Sequence, residues 1–129
     1  MGEFLLDTHT LLWWLNDDPA LSRPAANAIG DPANTIYVSA ASIWEIATKV
    51  RIGKLTDNSQ IVARMPSLLQ AEKFTGLPIG LEHARMAGSM AGQHRDPFDR
   101  MLAAQASLDG LTLISNDRAF DGFDIDRLW

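Results

Sequence analysis

Cysteine is absent from this 129-residue chain, which removes disulfide staples, thiolate zinc sites and cysteine nucleophiles together and fits a reducing cytoplasm. Any metal must therefore be held by oxygen or imidazole. Long hydrophobic runs are missing too, since Phe4 to Leu6 and Leu11 to Leu15 fall far short of the roughly 18 to 20 apolar residues that span a bilayer. The start, MGEFLLD, is acidic where a signal peptide is basic, and it lacks a small-residue cleavage site. A soluble, cytoplasmic protein with no membrane partner is expected. Clustered basic residues are scarce as well, with eleven Lys and Arg against sixteen Asp and Glu and a formal net charge of −5. Such a balance argues against binding nucleic acid mainly by neutralising phosphates, unless some acids hold divalent cations that cancel the negative potential. The local basic groupings, Lys49 with Arg51 and Lys54, and Arg95 with Arg100, read as solvated helix faces.

What is present suits one compact domain over residues 1–129, because 47% of the chain is hydrophobic and no linker or low-complexity stretch interrupts it. Phe4 to Leu6, Thr35 to Val38 and Leu111 to Ile114 are apolar or β-branched runs of strand length, and Gly122 to Ile125 is a weaker fourth. Helical spacing marks Ser39 to Val50, closed by Gly53, then Ser59 to Lys73, which Pro66 should kink or divide, and Pro97 to Leu108. Asp17 to Pro24, Asp31 to Asn34 and Thr75 to Gly80 read as turns. Strands separated by helices predict an α/β fold with a central parallel sheet covered on both faces.

The acids fall at informative places. In an open parallel sheet, ligands gather outside the carboxyl ends of the strands. Asp7 ends the first strand, Asp117 follows the third, Glu45 lies two turns into the helix after TIYV, and Asp99 is in the first turn of PFDRMLAAQA. Each also has a plain structural explanation. Asp7 and Asp117 can cap helices, and Ser42 to Glu45 has the form of a capping box. Pro97 belongs at a first helical position, which makes Asp96 the natural cap and leaves Asp99 as the better ligand candidate. Taken together, four converging carboxylates would repel unless protonated or bound to a hard cation such as Mg²⁺ or Mn²⁺. His9, His83 and His94 form no zinc-hydrolase spacing. His94 with Arg95 reads as a solvated loop, though one able to touch phosphate, and Trp13, Trp14 and Trp44 read as core or subunit interface. A phosphotransferase using Asp7 as nucleophile would call for a second Asp two residues on, where this chain has His9.

Four segments, FLLDTHTLLWWL, VSAASIWEIATKVRIGKL, HRDPFDRMLAAQA and TLISNDRAF, resemble in order and spacing the PIN-domain family, and more narrowly the VapC-type toxins of toxin–antitoxin pairs. The resemblance spans nearly the whole chain. It implies a three-layer α/β/α sandwich and a Mg²⁺- or Mn²⁺-dependent endoribonuclease. It also implies an RNA substrate, a cognate antitoxin and a homodimer. Asp7, Glu45, Asp99 and Asp117 match the family's four acids, and Thr8, Ser115 and Asn116 match the small polar positions beside them, with Asp96 adjacent. By resemblance, water attacks phosphorus and leaves 5′-phosphate and 3′-hydroxyl ends. A non-catalytic PIN-like module binding RNA or an antitoxin is the alternative.

Overall fold

A computed structural model describes residues 1–55 and 59–129. The sheet comprises β1 (Glu3–Leu6), β2 (Thr35–Ser39), β3 (Thr75–Leu77), β4 (Thr112–Ile114) and β5 (Arg127–Leu128), in spatial order β3-β2-β1-β4-β5. All of its pairings are parallel. The connections carry α1 (Thr8–Leu15), α2 (Arg23–Gly30), α3 (Ala40–Arg51), α4 (Ser59–Glu72), α5 (Leu81–Ser89) and α6 (Pro97–Asp109), and a short 3₁₀ turn spans Arg118–Gly122.

Alternation along the strands divides the core into two. Leu6, Ile36, Val38 and Ile114 point to the face that Leu11 and Leu12 of α1, Ile29 of α2, Ile46 of α3 and Met65 of α4 cover. Leu5 and Leu113 point to the other face, against Leu102, Ala103 and Ala106 of α6 and the rings of Phe120 and Phe123. The inner strands β1, β2 and β4 bury residues on both faces, as a parallel sheet demands, and the three-layer α/β/α arrangement follows. After β1 the chain turns toward β2, and after β4 it turns toward β5 on the opposite side. The crevice between the carboxyl ends of β1 and β4 is therefore where the strand order reverses.

Helix ends follow local chemistry. Ser39 caps α3 by accepting from the Ala41 N–H at 2.9 Å, and its hydroxyl donates to Oε1 of Gln105 at 2.5 Å. Gly53, at φ 83°, takes the left-handed conformation that ends α3, and Gly110 does the same after α6 at φ 66°. Arg100 uses three N–H groups to hold the carbonyls of Ala87, Met90 and His94. It is thus a loop tie, not the solvated residue expected.

Several sequence expectations are corrected. Thr75 to Gly80 is not all turn, because Thr75–Leu77 forms β3 at the sheet edge. Gly76 is tolerable there, where one side of the strand has no ladder to maintain. The weak fourth strand at Gly122 to Ile125 lies instead at Arg127–Leu128. Phe123 and Ile125 join the second core without a ladder, while the carbonyls of Asp126 and Leu128 meet the N–H groups of Leu113 and Ser115. Residues 17–24 are only partly a turn, since Ser22 caps α2 and Pro24 sits in its first turn. Pro66 lies inside α4 without dividing it. Its position on the helix is exposed.

The Ser39 cap joins β2, α3 and α6 in one buried contact. Ser39→Ala is expected to lose about 2–3 kcal/mol of stability, combining a lost cap with an unsatisfied Gln105 oxygen, as read from the midpoint of urea unfolding.

Candidate active site

Asp7 leaves β1 and begins α1 in one step. Its main-chain N–H donates to Ile114 O of β4 at 3.1 Å, and its Oδ1 accepts from the His9 N–H at 2.9 Å. The cap explanation therefore holds, yet it uses only one oxygen. Oδ2 accepts from the Ser115 hydroxyl at 2.5 Å, and that hydroxyl oxygen accepts in turn from the Asp117 N–H at 3.0 Å. Ser115 thus locks the acid after β1 to the turn after β4. Asp7 is 5% exposed. Burial, reinforced by the Glu45 charge, holds its pKa above the ordinary carboxyl value against the lowering effect of Ser115 and His9.

Glu45 is buried in the wall of the same crevice. The capping box that Ser42 to Glu45 has the form of does not form, since the cap of α3 is Ser39 and Ser42 is already inside the helix. Glu45 Oε1 accepts from the Thr8 hydroxyl at 2.6 Å, and Oε2 accepts from the Lys49 ammonium at 2.6 Å. Lys49 is accordingly no solvated helix-face residue. Burial works to lower its pKa, but the hydrogen bond and charge of Glu45 outweigh this and raise it.

Asp96 and Asp99 divide as the local geometry predicts. Asp96 caps α6, accepting from the N–H groups of Phe98 at 2.9 Å and Asp99 at 3.2 Å. The Asp99 side chain is free of that duty and faces His94, whose Nε2 lies 2.9 Å from Oδ2. Burial, then the charges of Asp96 and Asp7, push the Asp99 pKa up to about 7. Asp117 caps the 3₁₀ turn through the Ala119 N–H at 2.9 Å and remains exposed.

A cavity of about 490 Å³ brings Asp7, Glu45, Asp99 and Asp117 together, with Asp96, Asn116 and Lys49 also on its wall. Thr8 and Ser115 stand behind it as hydrogen-bond donors to Glu45 and Asp7. Ligand atoms of His94, Asp99 and Asp117 lie within 4.8 Å of one another, close enough to share one cation. Carboxylate oxygens with a single imidazole suit a hard divalent ion, and crowded acids with raised pKa values are what such an ion would relieve.

Two residues at this site were read as solvated from the sequence. His94 is held between Phe120 and Phe123, with ring centroids 5.9 Å from each; the aromatic spacing in RAFDGF was the available signal. Lys49 follows Glu45 by four residues, the helical ion-pair spacing. The tryptophans divide. Trp14 packs at the first core and reaches Glu72, Trp44 is 63% exposed, and Trp13 lines the acidic cavity beside His9.

Comparison with known proteins bears on the whole chain. The family model for the PIN domain matches residues 4–125. Ribonuclease VapC22 of Mycobacterium tuberculosis (strain ATCC 25618 / H37Rv) is 28% identical over 120 residues, covering 92% of this chain and 89% of the relative. Among solved structures, VapBC2 from Rickettsia felis bound to a promoter DNA fragment aligns with TM-score 0.68 at 17% identity, covering 98% of this chain and 97% of that one. DNA-bound VapBC from Salmonella typhimurium aligns with TM-score 0.67 at 22% identity, covering 100% and 98%. These structures share the fold. With the family model matched over nearly its full length, the chain belongs to the PIN domain family.

Proposed function

We propose that this protein is a cytoplasmic, Mg²⁺- or Mn²⁺-dependent endoribonuclease that acts as the toxin of a toxin–antitoxin pair. The observation that carries this reading is the convergence of Asp7, Glu45, Asp99 and Asp117 on one cavity at the strand-order reversal of a PIN-family chain. The similarity to a protein named as a ribonuclease, and to VapBC complexes, supports the substrate class and the antitoxin partner. A homodimer, which the family resemblance implies, is part of the proposal.

Asp7, Glu45, Asp99 and Asp117 would hold the metal, with His94 an added donor beside Asp99 and Asp117. A divalent ion bound there supplies Lewis acidity toward a phosphate oxygen and lowers the pKa of nearby water. The chain's own contribution is positioning. Ser115 and the His9 N–H aim Asp7, the Thr8 hydroxyl fixes Glu45, and the Asp96 cap sets the first turn from which Asp99 projects. Such restraint matters because displaced ligands lose metal affinity and rate.

Asp7→Asn, Glu45→Gln, Asp99→Asn and Asp117→Asn should each reduce metal-dependent RNA cleavage at least as much as the roughly 10–100-fold that loss of an outer partner of a metal ligand brings. Asp96→Asn should retain more activity than Asp99→Asn, because Asn caps a helix about as well as Asp. The opposite order in a cleavage assay would mean that the wrong acid of the pair has been chosen.

Expressed alone, the protein should arrest growth, and the product of its cognate antitoxin gene should restore it. Arrest of equal severity with Asp7→Asn would disconnect toxicity from this cavity.

Stability should depend on pH in a definite direction. Between the ordinary carboxyl value of 3.8 in the unfolded chain and about 7 for folded Asp99, the folded state binds more protons. In chelator, the contribution of this group therefore favours folding at acidic pH and fades as pH rises through about 7. Thermal scans should show Asp99→Asn flattening that dependence between pH 5 and 8. Added Mn²⁺ should stabilise the wild type more at pH 8 than at pH 6, and the total gain is roughly 2.7 kcal/mol wherever free metal is about 100 times its dissociation constant.

A further inference from the structure

A phosphodiester is an anion, and the cavity it would enter is lined mainly by carboxylates. A bound cation is shared among those acids, so it cancels their charge before it attracts the substrate. The backbone of RNA needs a further positive group within the same walls. Among the described residues that line the cavity, Lys49 and Arg118 are the lysine and arginine side chains. Arg118 opens the 3₁₀ turn and is exposed at the mouth. Lys49 is on the wall beside Glu45, and its side chain keeps 31% of its surface open.

We propose, resting on the nuclease reading above, that Lys49 is the substrate-phosphate contact of this site. Its ammonium, docked on Glu45, meets a non-bridging oxygen of the RNA phosphodiester. An ammonium has three N–H donors, and the hydrogen bond to Glu45 at 2.6 Å uses one. Glu45 keeps lone pairs for a cation beside this contact. A carboxylate offers about four lone-pair sites, and Thr8 and Lys49 occupy one on each oxygen. The pair therefore ties the phosphate contact to a proposed metal ligand, one helical turn apart on α3. Position helps as well, because Lys49 stands in the last turn of α3, where the carbonyl end of the helix favours a cation. Lys49 also lines the cavity and keeps part of its side chain exposed.

The test separates phosphate binding from support of Glu45. Binding of a labelled single-stranded RNA is measured by fluorescence anisotropy across a salt series in Ca²⁺, with intact RNA verified on a gel, and Mn²⁺ binding is measured by calorimetry. Lys49→Gln should weaken RNA binding several-fold at low salt. It should also reduce the slope of log affinity against log salt by about 0.7, the signature of one lost phosphate contact on a single strand. Mn²⁺ affinity should be unchanged or tighter, since a competing cation has been removed from Glu45, and Lys49→Arg should restore most of the RNA affinity. An unchanged slope overturns the proposal. So does a parallel loss of RNA affinity, Mn²⁺ affinity and thermal stability, which would make Lys49 a clamp on Glu45 alone. Wild-type cleavage in Mn²⁺, run alongside, judges the nuclease reading separately: RNA bound with the expected slope but never cut would sink that reading and leave the Lys49 contact standing.

Discussion

Everything at this site depends on keeping a buried carboxylate ionisable where two parallel strands end together. Asp7 is removed from water at the point where β1 and β4 diverge, and desolvation alone would drive it toward its protonated form. Two donors oppose that drift, the His9 N–H and the Ser115 hydroxyl. Because Ser115 also receives the Asp117 N–H, the same hydroxyl that tempers Asp7 places the next acid. The sheet order, the α1 cap and the cavity are thus consequences of one junction.

The surrounding charges are graded in depth. Asp7 and Glu45 are almost fully buried, Asp99 is half-buried, and Asp117 is exposed. Buried carboxyls depend on their neighbours for compensation, whereas exposed ones have water. That order explains why Glu45 has both oxygens occupied by donors, why Asp99 sits against His94, and why Asp117 needs only its own helix turn. A divalent ion meeting this gradient would encounter the exposed acid first and the most preorganised ones last.

Much of this was legible in the sequence because strand ends and helix starts are local events. The three strong strands, α3 and α6 lie close to where hydrophobic pattern and capping residues put them, and Pro97 was enough to assign Asp96 to the cap and release Asp99. Elements written in weak or ambiguous residues were lost. β3 contains Gly76 and borders Pro78, so its short edge strand looks like turn chemistry, and β5 is fixed by main-chain pairing with β4, which no side-chain period records. The misreadings at the site have a related cause. A lysine or histidine appears solvated until the partner that buries it is known, and Phe120 and Phe123 are brought to His94 only by the fold.

The order in which the acids occur along the chain has a temporal meaning. Asp7 appears at the beginning, Glu45 about a third of the way along, and Asp99 and Asp117 only with α6 and the turn after β4. Ser115, which braces Asp7, is 108 residues away from it in sequence. A chain still emerging from the ribosome and made only as far as α3 lacks half of the proposed ligands and the hydroxyl that steadies the first. On the nuclease reading proposed above, the cutting site is complete only once Asp117 has been added to the chain.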